Sequence, residues 1–310
     1  KASEYKDLLE DKLVSQSKDV TKLRQTFLRE AVQGKLVKQN EKDGNATELL
    51  EKIKRERKKL GVKEYPLPLI KVEELPFDIP CNWIWSRLGE ACQLNPRNKA
   101  DENLEAAFIP MPLISQRYNE SPRFEIRSWK DIKSGFTHFS NDDVVVAKIT
   151  PCFENSKAGI IRNLPNSIGA GTTELHVIRG SKYVIPEFIY AFIKSPDFLL
   201  NGKKIMRGVA GQQRVPSEYF YNTLFPLPPL PEQHRIIKRI EKLMHLCDEL
   251  QNRIQQSKIE NEKLLQGVLR DALKSPSNIL ELSHTLEPEE NYFAKRKILN
   301  CFQRKQNGYL

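Results

Sequence analysis

The chain of 310 residues contains no apolar run of the about 18 residues that a membrane-spanning helix needs. It shows no secretory signal, and it opens on Lys1 rather than Met, so the expectation is a fragment or a processed form. Cysteine is sparse: Cys81, Cys92, Cys152, Cys247 and Cys301 are odd in number and form no Cys-x-x-Cys pair. A disulfide framework is therefore not expected, and a reducing cytoplasmic setting is. The five histidines are scattered, and His234 and His245 lie three helical turns apart, so no metal ligands are assigned.

Sequence signatures of catalysis are missing as well. Neither Gly-x-Gly-x-x-Gly nor a Walker loop occurs, and no cofactor is expected. Gly169–Thr173 (GAGTT) lacks the lysine and the helical continuation of a phosphate loop. There is no nucleophile elbow. Asn95-Pro96-Arg97 breaks the Asn/Asp-Pro-Pro-aromatic tetrapeptide of amino-methyltransferases. Asp142, Asp143 and Glu174 do not form a nuclease motif, because Leu-His follows Glu174, and they read as turn or surface acids. No catalytic residue is assigned, and the chain is not expected to be an enzyme.

What the chain does have is basic charge and a repeat. Fifty Lys plus Arg against forty Asp plus Glu give a formal +10. That excess favours nucleic acid, an anionic membrane or an acidic protein as partner. Thr21–Val32 (TKLRQTFLREAV) returns as Glu262–Leu273 (EKLLQGVLRDAL), 262 − 21 = 241 residues later. Such self-similarity means one supersecondary unit used twice.

Helical arms carry the two copies. In the first, Leu9, Leu13, Gln16, Val20, Leu23 and Phe27 follow steps of four and three, a heptad seam that closes at Gly34. A second short helix is expected from an Asn45 cap to Gly61. The distal arm starts near Pro231, and its seam runs through Ile236, Ile240, Leu243, Cys247, Leu250 and Ile254, then Leu264 and Val268. About forty helical residues would extend roughly 60 Å, too far to bury the seam on a small domain alone.

Between the arms, prolines cluster at Pro66–Pro80 and Pro226–Pro231 and stiffen both junctions. Val144–Ile149, Ala158–Ile161 and Glu174–Ile178 read as strands, and Pro186–Ser195 as a helix stopped by Pro196. The fold class is therefore α+β, a compact mixed domain flanked by long coiled-coil-like helices. The expected divisions are a helical arm over 1–40, a short charged helix over 41–63, a central domain over 64–228, a distal helix over 229–275 and a tail over 276–310. Three polar loops, with the strand end before the first, carry the candidate DNA-binding residues: Lys148 at the strand end, then Thr150, Ser156 and Lys157; Thr172 and Thr173; and Lys203, Lys204, Arg207, Gln212, Gln213 and Arg214. Lys and Arg suit phosphates, while Gln and Arg carry the paired groups that base edges require. A coiled-coil scaffold with a protein-binding central domain is the alternative at this point.

Several motifs in order resemble one family. Leu227–Gln233 (LPPLPEQ), Arg235–Ile237 and Leu243–Leu250 (LMHLCDEL) are similar to the distal conserved region of the DNA-specificity (S) subunits of Type I restriction–modification enzymes. Leu23–Leu28 and Glu30–Val37 resemble the end of their central conserved helix, and Leu75–Glu90 the opening of a target-recognition domain. Lys148–Asn155 (KITPCFEN), Thr172–Val177 (TTELHV) and Gly211–Pro216 (GQQRVP) resemble one class of that domain. The resemblance implies a non-catalytic subunit in which a recognition domain reads half of a split double-stranded DNA target and antiparallel helices set the distance to the other half. It implies methyltransferase (M) subunits as partners, plus an ATP-driven restriction (R) subunit for cleavage. One recognition domain stands where two are typical, so a self-dimer or a missing half is expected. The helix-pairing residues are then Leu9, Leu13, Val20, Leu23, Phe27, Ile236, Ile240, Leu243, Leu250, Ile254, Leu264 and Val268.

Overall fold

The computed structural model describes residues 2–63, 65–118 and 120–274, so the tail from Pro276, with Lys295–Lys297, lies outside the described residues. It divides into two compact units: Val20–Asp248, and a second whose described residues are 2–19 and 249–274. Helix α1 (Ala2–Val32) leads into α2 (Ala46–Lys59). Strand β1 (Ile84–Arg87), α3 (Leu88–Ala91), β2 (Gln93–Leu94), β3 (Glu105–Ile109), β4 (Glu125–Ser128), α4 (Trp129–Ile132), β5 (Thr137–Ser140) and β6 (Val144–Ala147) follow. Then come β7 (Ala158–Ile160), β8 (Ile168–Gly171), β9 (Leu175–Arg179), α5 (Pro186–Ile193), α6 (Pro196–Lys204), α7 (Ser217–Asn222), β10 (Leu224–Leu227) and α8 (Leu230–Lys274).

Local chemistry sets the helix ends. At the close of α1, Gly34 takes φ 70°, its N–H donates to Ala31 O, and Lys35 N–H donates to Glu30 O. These are the two bonds of a Schellman cap. Asn45 Oδ1 accepts from Thr47 N at 2.8 Å and caps α2, which ends at Gly61 with φ 63°. Pro186 and Pro196 each occupy a first helical turn, where no N–H is missed.

Three small sheets build the central domain: β1-β10, β2-β9-β6-β7 and β4-β3-β8-β5. All pairs are antiparallel except β3 with β8. The glycines of GAGTT are explained here. A Cβ at Gly169 would lie 2.4 Å from Phe139 and 2.7 Å from Ala107 O, so glycine lets β8 press between its neighbours. On the apolar side, Phe188 and Phe192 of α5 meet Phe225 of β10, with Phe192 edge-on at 4.9 Å and 89°. Phe198 and Phe220 complete this aromatic centre. His176 of β9 is 3% exposed against Phe220. Its Nδ1 faces Asn95 Nδ2 at 3.2 Å and its Nε2 faces Val215 O at 3.4 Å, a pairing only the neutral ring satisfies on both sides.

Within the first unit, the end of α1 lies antiparallel on the start of α8. Arg24 donates to Asp248 at 2.7 Å, whereas Gln39, further along, donates to Glu232 at 2.7 Å. Leu28, Ala31 and Val32 share a core with Ile236, Ile237, Ile240 and Met244. The LPPLPEQ motif acts at this junction. Glu232 is fully buried and accepts from Gln39 and Asn82, while Gln233 accepts from Ile185 N and donates to Tyr183 O and Pro228 O. Arg235 grips Asp43 with both guanidinium branches directed at its carboxylate. In the second unit, Gln251 Nε2 donates to Ser17 Oγ at 3.1 Å.

The buried stripe differs from the expected seam. On α1 Val20, Leu28 and Ala31 are buried and Leu13, Ser17, Arg24 and Phe27 half-buried, whereas Leu9 and Leu23 are 43% and 42% exposed. On α8, Met244 and Cys247 are buried while Leu243, Leu250 and Ile254 are half-buried, and Leu264 and Val268 are 68% and 63% exposed. Apolar spacing misplaced the stripe because Ser17 and Arg24 enter it by finding polar partners across the pair.

Two outcomes test this packing. Gly34→Ala forces a left-handed residue onto a Cβ 2.5 Å from Pro80 Cγ, so folding stability should fall by about 2 kcal/mol in denaturant titration; an unchanged midpoint would refute the strain. Burial, with the nearby Lys148 charge, depresses the His176 pKa to about 4, against about 6.5 unfolded. The stability tied to its neutral ring is complete above pH 6.5 and is lost as pH falls toward 4, by up to about 3 kcal/mol. Melting at stepped pH should show that slope, and His176→Gln should flatten it.

Candidate nucleic-acid interface

The candidate site grows from the exit of β6. After Ala147 the chain leaves its ladder, one residue pair earlier than the sequence pattern suggests, because new backbone partners take over. Lys148 N donates to Glu174 O at 3.0 Å, and Lys148 O accepts from Val215 N at 2.8 Å. Thr150 N donates to Gln213 O at 2.9 Å, and Gln213 N donates back to Thr150 Oγ1 at 3.1 Å. Three loops distant in sequence are thereby joined at one place.

The segment 205–215 is a structured tip. Arg207 and Arg214 exchange backbone hydrogen bonds of 2.9 and 2.8 Å, and Gly208 and Gly211 supply the positive φ angles of 125° and 79° for the turn between them. Arg214 directs Nε and a terminal nitrogen onto Glu174 at 2.9 and 2.8 Å, which holds that carboxyl below its usual pKa range. Thr172 Oγ1 accepts from Glu174 N and shapes the approach to it. Lys203 on α6 pairs with Glu154 at 2.7 Å and links the tip's stem to the loop after Thr150.

Exposure sorts the candidates. Thr173, Lys203, Lys204, Arg207, Gln212 and Arg214 are exposed, while Lys148, Thr150, Ser156, Lys157, Thr172 and Gln213 are half-buried. Lys204 and Arg207 have no carboxylate partner among the described residues, so their charge faces solvent. Lys157 and Ser156 join Arg214 and Lys203 in being engaged with the protein. Lys157 Nζ donates to Met111 O at 3.3 Å, and Ser156 receives Lys194 Nζ on its carbonyl at 2.6 Å.

Lys194 was not marked by the sequence. It is 6% exposed, donates to Gln116 O and to both oxygens of Ser156, and burial draws its pKa down to about 7. It fastens the loop after β6 from beneath. The acids also differ from expectation. Asp143 is no surface acid: it is buried and accepts twice from Arg179 at 2.7 Å. Glu174 serves as the clasp for Arg214. Among the described residues no group of three or more His, Cys, Asp or Glu side chains could hold a metal ion, and no helix is long and apolar enough to cross a membrane.

Comparison with known proteins agrees with this architecture. The family described as Type I restriction modification DNA specificity domain matches residues 80–261. The EcoAI specificity subunit of Escherichia coli is 45% identical over 271 residues, covering 85% of this chain and 46% of that protein. The EcoEI specificity subunit of Escherichia coli is 41% identical over 281 residues, covering 88% of this chain and 47% of that protein. The chain thus spans about half the length of these curated relatives. The HsdS subunit of Thermoanaerobacter tengcongensis superposes with a TM-score of 0.51 at 27% identity, covering 64% of this chain and 51% of that chain. By this match and these relatives, the chain belongs to the specificity-subunit family of Type I restriction–modification systems.

Proposed function

We propose that this chain is a non-catalytic reader of one half of a split DNA target. The observation that carries the reading is the joining of three loops at Lys148, Thr150, Gln213 and Arg214, with Lys203, Lys204, Arg207 and Gln212 exposed around them. Exposed cations suit sequence-independent phosphate contacts, and amides held on a fixed hairpin suit base edges. Gln212 is exposed, and the backbone of Gln213 is clamped to Thr150, so both amides project from a defined frame.

The helices support the split-target part. Thr21–Val32 seats on the stretch around Ile236–Asp248. Its repeat, Glu262–Leu273, carries Leu264 and Val268 exposed, and these are the side chains that a pairing helix, from another part of the subunit or from a second copy of this chain, would cover. Docking of methyltransferase subunits, with a restriction subunit in the complete enzyme, belongs to the same proposal. The comparison with specificity subunits favours it over a protein-binding scaffold.

Loop roles are separable by experiment. Lys204→Ala or Arg207→Ala should weaken binding to specific and random duplexes alike and lower the salt slope by about one unit per lost contact. Gln212→Ala or Gln213→Ala should relax preference at one or two base pairs, at about 1–3 kcal/mol, with the salt slope retained. Salt-series binding on both duplexes checks this, and identical behaviour of the two classes would sink the assignment.

A further inference from the structure

Beside the joined loops lies a recess of about 200 Å³ that none of the roles above uses. Its walls include Arg97, Thr137 and His138 from one sheet edge, and Lys148, His176 and Ser217 from the other side. No carboxylate lines it among the described residues.

The histidines bring no charge. His138 Nδ1 accepts from Asn98 N at 3.2 Å while Nε2 donates to Lys133 O at 2.8 Å, and both ring nitrogens of His176 are likewise engaged. Each ring is the neutral tautomer with its hydrogen on Nε2. Burial first, and then the neighbouring cations, hold both below the usual histidine range: Arg97 acts on His138, and Lys148 on His176. Both cations line the recess.

The cations themselves are poorly compensated. Lys148 is half-buried, and its ammonium has no hydrogen-bond or ion-pair partner among the described residues. Glu174 feels its charge, but that carboxylate is clasped by Arg214. Arg97 gives one terminal nitrogen to Phe136 O at 3.0 Å and keeps its other donors. Two unneutralised cations over hydroxyls in a small polar recess select a compact oxyanion. The volume admits a phosphate group with water, at roughly 30 Å³ per water, and leaves no space for a nucleotide.

We propose that the recess between Arg97 and Lys148 is a phosphate seat that receives one backbone phosphodiester of the bound duplex and fixes the register of the reading loops. This rests on the DNA-reading function proposed above. The backbone of Lys148 is held between Glu174 and Val215, so a phosphate there is tied rigidly to Thr150, Gln213 and Arg214.

The test compares the full chain with Arg97→Gln, Lys148→Gln and the double variant. Duplex binding is measured across a salt series on specific and random DNA, and the imidazole resonances of His138 and His176 are followed during titration with inorganic phosphate. Each single variant should lower the salt slope by about one unit and the double variant by about two, with the specific-to-random ratio kept. Phosphate should move both imidazole signals in the unmodified chain and neither in the double variant. Arg97 is exposed, so its replacement leaves the fold intact and keeps the comparison valid. Slopes equal to the unmodified chain in both single variants would overturn the seat while leaving DNA reading in place. Imidazole shifts without any change of slope would assign the recess to a free anion and equally overturn the duplex contact. An unmodified chain that binds no duplex would remove the reading itself, and the phosphodiester contact with it.

Discussion

The buried start of α8 is the constraint on which the central unit depends. Glu232 sits there without exposure, held by two side-chain amides, and Gln233 ties the same turn to the segment before α5. A buried carboxylate left unpaired is costly, so Gln39 and Asn82 must approach it, and with them the chain after α1 and the entry to β1. Arg235 and Asp43 repeat the logic one turn on. These polar contacts fix how the helix pair leaves the domain, and the apolar contacts of Leu28, Ala31, Ile236 and Ile240 fill the space so defined.

The joined loops after β6 and around Arg214 follow a related rule with fewer buried atoms. They are not held by a core of their own. Backbone hydrogen bonds to the edge of β6, the Arg214–Glu174 clasp and the Lys194 ammonium below restrain them. Exposed side chains thus ride on a restrained main chain, the arrangement a base-reading element needs if binding is not to be spent on ordering it.

Local features were legible in the sequence because their causes are local. Gly34, Asn45, Gly61, Pro186 and Pro196 mark helix borders through their own backbone preferences, and the structure places the borders there. The helix stripe was displaced at Leu9 and Leu23, since hydropathy spacing does not register Ser17 meeting Gln251 or Arg24 meeting Asp248 across the pair. Thr150, Gln213 and Arg214 were visible as polar loop residues and Lys148 as the end of a strand, but their meeting was not, because bonds spanning more than 60 residues leave no pattern in either segment. Lys194 read as the end of an amphipathic helix, and only burial reveals its work. Asp143 was misplaced at the surface for the same reason, as its partner Arg179 ends the neighbouring strand β9, 36 residues away in sequence.

The pairing of β1 with β10 brings the entrance and exit of the central domain side by side, and the Asp43–Arg235 and Gln39–Glu232 contacts lock the same neck. Whatever is threaded between those two points closes a loop whose ends are already adjacent, and loop-closure cost grows only slowly with length. The helical hairpin therefore has little stake in what the intervening chain encodes. On the function proposed above, a different central domain spliced in at the neck by recombination, with the handful of neck residues kept, inherits the same frame with a new target.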